Sequence, residues 1–283
     1  SSRYHLARML VRLKDYREAI EHFEKTDFGL SKSHQLECYY YLGEKENFYK
    51  SYRSLIASKK INPLMASIGS HASIRYGVSN KENPFCKTPL KHIQKFHLDE
   101  KSGLEQSLID SIVGFYKSGG TDGKSQPLLF KGKQSSGNLF LHKRDDIQTL
   151  KGIIENQVLK YLESYKESDE GFIRHWPKKY NLYGWLVAIQ SGGKLDAHIH
   201  KEGWLSGSLY FKMPKKLNKN EGNIVFGIDG ANYPKDNKKY PQEIKDIDQG
   251  DLVMFPSSLF HHTLPFESQE ERISFAFDVI PEF

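Results

Sequence analysis

The chain is poor in cysteine. Only Cys38 and Cys86 carry a thiol among its 283 residues, which excludes a disulfide framework and a thiolate metal cage. No apolar run approaches the roughly 20 residues a bilayer span requires, and mean hydropathy is −0.62, so a membrane partner is not expected. Gly (22) and Pro (11) occur at ordinary frequency, which removes collagen-like, low-complexity and disordered classes. No signal-peptide pattern opens the sequence; with so little cysteine, a reducing, cytoplasmic setting is the expectation. The opening Ser1-Ser2-Arg3 lacks Met, which suits a fragment with more sequence upstream. Charge is not concentrated either: 41 Lys and Arg against 35 Asp and Glu leave +6. Lysine pairs such as Lys215-Lys216 and Lys238-Lys239 stand in loops without interleaved aromatics, so nucleic acid is not expected as a partner. What remains is a soluble globular protein of about two domains, at roughly 150 residues each.

Leu6, Ala7, Leu10, Tyr16, Ala19, Ile20 and Phe23 recur at helical spacing, with a break around Lys14-Asp15. A second pair of helices is predicted over Leu36 and Tyr40 and over Phe48, Ser51, Leu55 and Ser58, closing at Pro63. A further helix is predicted over 64–76. Tyr16 and Phe48, each at the start of a second helix, lie 32 residues apart, and such a period predicts stacked helical hairpins. The run Asp15-Tyr16-Arg17-Glu18-Ala19-Ile20-Glu21-His22-Phe23 resembles the central part of a tetratricopeptide repeat. On that resemblance Ala19 lets two helices approach, Tyr16 and Phe23 fill the groove, and Ser51 and Pro63 belong to a degenerate second copy. Two repeats are fewer than the roughly three that stability usually requires. Either more lie upstream or these pack onto the next domain.

Gly77, Asn80, Asn83-Pro84 and Pro89 predict a linker, set at 81–95, between a helical unit over 1–80 and a second domain over 96–283. Within the latter, a helix over 104–116 stops at Gly119-Gly120, and Asp145-Asp146-Ile147-Gln148 reads as a capping box opening a long helix. After Tyr183 the hydrophobic period becomes two. Short strands are predicted over 183–190, 197–200, 207–213, 223–228, 251–255 and 272–279, which argues a sandwich or barrel of the jelly-roll kind. The fold class expected is α+β, a helical repeat segment followed by a jelly-roll barrel with supporting helices.

Of twelve histidines, four fall in two groups: His198-Ile199-His200, and His261-His262 downstream of Phe255-Pro256-Ser257. Strand residues two apart face the same way, so His198 and His200 can reach one ion, and imidazole is the commonest metal-ligating side chain. A lone His-x-His is weak evidence. Joined to a distant His and a downstream Arg in a small barrel, it is much stronger.

Three stretches resemble the iron(II)- and 2-oxoglutarate-dependent oxygenases, whose barrel is a double-stranded β-helix. The first runs from Gly184-Trp185 through Gly192-Gly193 and His198-Ile199-His200 to Trp204-Leu205-Ser206-Gly207-Ser208-Leu209-Tyr210. The second is Asp248-Gln249-Gly250-Asp251-Leu252-Val253-Met254-Phe255-Pro256-Ser257 with His261, and the third is Glu271-Arg272-Ile273-Ser274-Phe275. The resemblance spans about 139–280 and is closest to a bacterial and phage-type branch with His-x-His and Phe-Pro-Ser motifs. It implies Fe(II) as cofactor, 2-oxoglutarate and O2 as cosubstrates, and release of succinate and CO2. It places metal ligands at His198 and His261, the latter chosen over His262 by spacing from Phe-Pro-Ser. Arg272 and Ser274 would hold the far carboxylate of 2-oxoglutarate. The planar guanidinium of Arg272 suits that task; the competing reading pairs it with Glu270 or Glu271. Tyr210 is either a further contact to 2-oxoglutarate or a core tyrosine, and Trp185 and Trp204 stand either at the pocket mouth or in the core.

The usual facial triad is two His and one carboxylate. Here His200 stands where the carboxylate is expected, and three readings stay open. His198, His200 and His261 form a three-His site; or His198 and His261 bind alone, with water or substrate in the third place; or Asp196 supplies the carboxylate. An imidazole for a carboxylate leaves the site one charge more positive. Repeat helices present concave surfaces suited to extended peptides, so hydroxylation of a protein or peptide side chain, prolyl included, is the expected activity. A small-molecule hydroxylase and a non-catalytic repeat scaffold with a degenerate barrel are the alternatives. No oligomeric state follows from the sequence.

Overall fold

Lys14 adopts a left-handed φ of 64°, and Asp15 then caps the next helix by accepting from the Glu18 amide at 3.3 Å. The helical run breaks there for that reason. The computed structural model describes residues 2–282, and its N-terminal part is five helices: α1 (Ser2–Arg12), α2 (Tyr16–Glu24), α3 (Ser31–Tyr41), α4 (Lys45–Ala57) and α5 (Pro63–Tyr76). Tyr4, Ala7, Ala19, Phe23 and Cys38 form one apolar core between α1, α2 and α3. Pro63 does not close α4. It opens α5, whose first turn is capped by Asn62 at 3.1 Å from the Met65 amide, because proline at the first helical position gives up a donor with no partner there anyway.

A second core joins these helices to the rest of the chain. Leu36, Tyr40, Phe48, Leu55, Leu64 and Ile68 pack together with Ile199, Tyr233 and Phe260. The helical unit therefore covers its apolar face against the β part. The segment expected as a linker is packed as well. Phe85 and Cys86 are fully buried, Asn83 donates to the Ala66 carbonyl at 2.9 Å, and Glu170 accepts from the Thr88 amide at 2.9 Å. Its proline and asparagine content makes the backbone irregular without making it loose.

The β part holds β1 (Gln94–His97), β2 (Gly123–Lys124), β3 (Leu129–Ser135), β4 (Tyr180–Leu195), β5 (Leu205–Lys212), β6 (Ile224–Gly227), β7 (Gln242–Lys245), β8 (Asp251–Pro256), β9 (Phe260–Thr263) and β10 (Arg272–Pro281), with helices α6 (Gln106–Lys117), α7 (Asp145–Ser164) and the short α8 (Gly171–Arg174). A seven-stranded antiparallel sheet has the order β1-β8-β5-β10-β4-β3-β2, and a three-stranded sheet has the order β7-β6-β9. Ile224 and Phe226 of the small sheet meet Tyr210, Val253 and Phe255 of the large one. The other face of the large sheet is covered by Ile109 and Ile112 of α6 and by Leu150, Ile154 and Val158 of α7. This is a mixed α/β molecule with a large antiparallel sheet, of the arrangement expected for a jelly-roll with supporting helices. Among the described residues no helix is long and apolar enough to cross a membrane.

Three local expectations change. β4 runs on past the predicted end at 190 through Gly192, which adopts a φ of 71° within the strand. Residues 197–200 form no strand; only His198 pairs, in an isolated bridge to His261. The capping box does not form, since Arg144 engages Asp146 at 2.7 Å and Gln148 donates to the His142 carbonyl at 2.8 Å.

Candidate metal centre

His198 and His261 are tied through their main chains, each amide donating to the other's carbonyl at 3.1 Å. The backbone thus fixes the two rings 4.3 Å apart between centroids. His200 comes in beside them, its amide donating to the Ser257 carbonyl at 3.2 Å. Its ring lies 5.2 Å from that of His198 and 4.9 Å from that of His261. One ring nitrogen from each falls within 4.8 Å of the others, a group able to hold a metal ion.

The opposite nitrogens decide the tautomers. His198 Nδ1 donates to the Asp196 carbonyl at 2.8 Å, and His261 Nδ1 to the Leu259 carbonyl at 3.2 Å. His200 Nδ1 lies 2.5 Å from Asp278 Oδ1. Each Nδ1 therefore carries its proton, and each Nε2 keeps a lone pair. The Nε2 atoms of His198 and His200 stand 3.3 Å apart, two lone pairs with no proton between them, an arrangement a cation relieves. Burial, aided by the neighbouring His200, pushes His198 down to about 4. Burial, with His198 beside it, likewise holds His261 well below the ordinary histidine value. Both are neutral near pH 7, as metal ligation requires.

Asp278 was not anticipated. On β10 the residues Arg272, Ser274, Ala276 and Asp278 all line one cavity, while Ile273, Phe275, Phe277 and Val279 enter the core under the helices. An acid at even spacing from Arg272 in an apolar strand was the available signal. Register pairs Asp278 with Ser206, which donates to Asp278 Oδ1 at 2.6 Å. The charge lost at position 200 is thus restored one hydrogen bond further out. Asp196 is not drawn into the group: its carboxylate pairs with Lys194 at 2.8 Å, and only its carbonyl touches His198.

The cavity has a volume of about 550 Å³. Arg272 is buried in its wall, with its Nε–H donating to the Gly222 carbonyl at 3.0 Å and its guanidinium 4.9 Å from the Tyr210 ring centre. Among the described residues no carboxylate pairs with it. Glu271 is taken by Lys117 and by Gln190, and Glu270 accepts from the Lys215 amide at 2.8 Å. Tyr210 Oη is buried without a hydrogen-bond partner, and Ser274 stands on the same face of β10 as Arg272. A buried, unpaired guanidinium is costly unless an anion meets it. A dicarboxylate fits. Trp185 lines the cavity with its ring 5.5 Å from that of His200, whereas Trp204 lies in the core, donating to the Phe172 carbonyl at 2.7 Å. His262, beside His261, is half-buried and does not line the cavity.

Residues 183–278 match the family model described as "Putative 2OG-Fe(II) oxygenase". This stretch matches a 2OG-Fe(II) oxygenase domain. It contains His198, His200, His261, Arg272, Ser274 and Asp278, and the chain is an enzyme that uses Fe(II) and 2-oxoglutarate. The match does not reach the helical unit, whose tetratricopeptide character stays a resemblance of sequence. No curated protein sequence matches the chain. Among solved structures, it is similar to a prolyl-4-hydroxylase from Pseudomonas putida, at 11% identity and a TM-score of 0.47 over 69% of this chain and 95% of that one. It is also similar to HygX from Streptomyces hygroscopicus with nickel and 2-oxoglutarate bound, at 11% identity and a TM-score of 0.45 over 68% of this chain and 84% of that one. A third is a prolyl hydroxylase from Trichoplax adhaerens in complex with a hypoxia inducible factor peptide fragment, at 12% identity and a TM-score of 0.45 over 75% and 90%.

Proposed function

We propose that the chain hydroxylates a protein or peptide side chain, prolyl included, with His198, His200 and His261 holding Fe(II) and with Arg272, Ser274 and Tyr210 holding 2-oxoglutarate. The observation that carries the substrate class is that Arg8 of α1 and Leu30, ahead of α3, line the same cavity as the three histidines. A chain segment entering there would meet the helical unit and the barrel together. When bound, Fe(II) and 2-oxoglutarate supply activation of O2 coupled to loss of CO2 and formation of succinate.

The chain's own residues do the rest. Arg272 answers the far carboxylate with a fixed, always-charged fork. Asp278 keeps the proton of His200 on Nδ1, so that Nε2 stays a donor to metal. Trp185, Val187 and Leu195 give the cavity apolar walls that exclude water. The cavity volume of about 550 Å³ also suits a small molecule, and that is the second reading.

The test is anaerobic titration of the chain with Fe(II) and then 2-oxoglutarate, following the visible metal-to-ligand charge-transfer band. The band is expected in the native chain and is expected to weaken sharply in Arg272→Ala and His200→Ala. A band unchanged in His200→Ala returns the third position to water or Asp196. No band from folded protein overturns the assignment. Incubating the active chain with a peptide pool and with a metabolite extract, and following oxygen insertion by mass, separates the two substrate classes.

A further inference from the structure

Ile199 sits between two of the histidines and faces away from them. His198 and His200 line the cavity, while Ile199 packs with Leu36 and Tyr40 of α3 and with Leu64 and Ile68 of α5. Phe260, next to His261, enters the same core. The residues adjoining all three imidazoles are thus anchored in a core whose other half is the helical unit.

A polar contact fastens the same seam. Glu37 of α3 is buried, and Lys201, the residue after His200, donates to its Oε1 at 3.3 Å. Tyr233 Oη donates to that same oxygen at 3.2 Å, and His34 Nδ1 meets Oε2 at 2.8 Å. Burial pushes the Glu37 carboxyl up, but Lys201 and His34 outweigh it and hold it at about 2. Other polar contacts from the helices reach different ground. Tyr41 donates to the Ala231 carbonyl at 2.8 Å, His71 meets Asp229 at 3.2 Å, and Lys238 donates to the Ile74 carbonyl at 3.0 Å, all on the loop between β6 and β7. Glu37 is where α3 grips the segment that carries His198 and His200.

We propose that Glu37 is a positioning residue for the metal centre, holding the 198–201 segment through Lys201 so that His200 stays in register with His198 and His261. The helical unit is then a working part of the site. This rests on reading the three histidines as metal ligands.

The test uses the full chain and Co(II) alone, without oxygen or substrate, following the visible d–d absorption. Outer contacts of this kind typically change metal affinity by about 10–100-fold. Glu37→Gln is expected to weaken Co(II) at least about tenfold and to change the shape of the band, and Lys201→Met to do the same. Because both act along one route, the double variant is expected to be no weaker than the worse single one. Ile154→Val, in the core between α7 and the large sheet and away from this seam, is the control: at a comparable loss of thermal stability it is expected to bind Co(II) as the native chain does. Native affinity and spectrum in Glu37→Gln overturn the proposal, as does an equal loss in Ile154→Val. Lys201→Met carries the test if Glu37→Gln fails to fold. His200→Ala in the same titration checks the underlying reading: if it binds Co(II) as the native chain does, the ion sits elsewhere and the positioning role falls with it.

Discussion

His200 Nδ1 lies 2.5 Å from Asp278 Oδ1, and Ser206 donates to the same oxygen at 2.6 Å. A carboxylate placed behind an imidazole orients the ring, fixes its tautomer and makes its far nitrogen a better ligand. Asp278→Asn keeps the shape and removes the charge. Its metal affinity is expected to fall by about 10–100-fold, measured by competition with a metal indicator, while circular dichroism stays native. Unchanged affinity would mean that the pair serves the fold alone.

Arg272 gives a prediction with two signs. Arg272→Met should weaken 2-oxoglutarate by at least about 30-fold, since losing one partner of a buried charge pair costs about 2–5 kcal/mol. Without 2-oxoglutarate the same variant should melt no lower than the native chain, because it deletes a buried charge that has no carboxylate partner. Thermal melts with and without 2-oxoglutarate check both halves. A lower melting point in the absence of ligand would show that the bond to the Gly222 carbonyl and the contact with the Tyr210 ring outweigh the cost of the buried charge.

His71 links acidity to the seam between helices and barrel. It is fully buried, accepts from Tyr40 Oη at 2.5 Å and donates from Nε2 to Asp229 at 3.2 Å. Burial pushes it down to about 4 from an ordinary value of 6.5, against the upward pull of Asp229. The unfolded chain therefore binds a proton that the folded chain refuses, and stability falls as pH drops from 6.5 toward 4. His71→Gln should flatten that slope by up to about 1.4 kcal/mol per pH unit, read from urea unfolding of metal-free protein. An unaltered slope would place the titration at other histidines.

Gly171 tests whether residues 81–95 are packed. A Cβ at Gly171 would stand 1.7 Å from the Pro84 carbonyl oxygen, and the next amide, that of Phe172, donates to the Phe85 carbonyl at 2.7 Å. Gly171→Ala is expected to cost about 1–3 kcal/mol or more, seen as a melting point several degrees lower. A flexible linker would leave the melt unchanged.

How much of this was legible in sequence depended on where the signal was local. β10 is readable because Arg272, Ser274, Ala276 and Asp278 alternate with Ile273, Phe275, Phe277 and Val279. β3 is not, since Lys131, Gly132 and Lys133 carry no apolar alternation and the strand is defined by its pairing with β4. The break at Lys14-Asp15 and the start of α7 at Asp145 follow from nearby residues, whereas the packing of Phe85 depends on Phe172 and Trp204, far along the chain. At the candidate metal centre, spacing brought His198 and His200 together, the family resemblance chose His261, and the third position stayed open among His200, Asp196 and water. The contacts that set the imidazole tautomers come from backbone carbonyls and from Asp278, and no short motif encodes them.

The paired amides of His198 and His261 have a bearing on how the molecule is assembled. Two distant stretches of chain meet main chain to main chain there, so replacing either imidazole removes a side chain without parting the stretches that carry it.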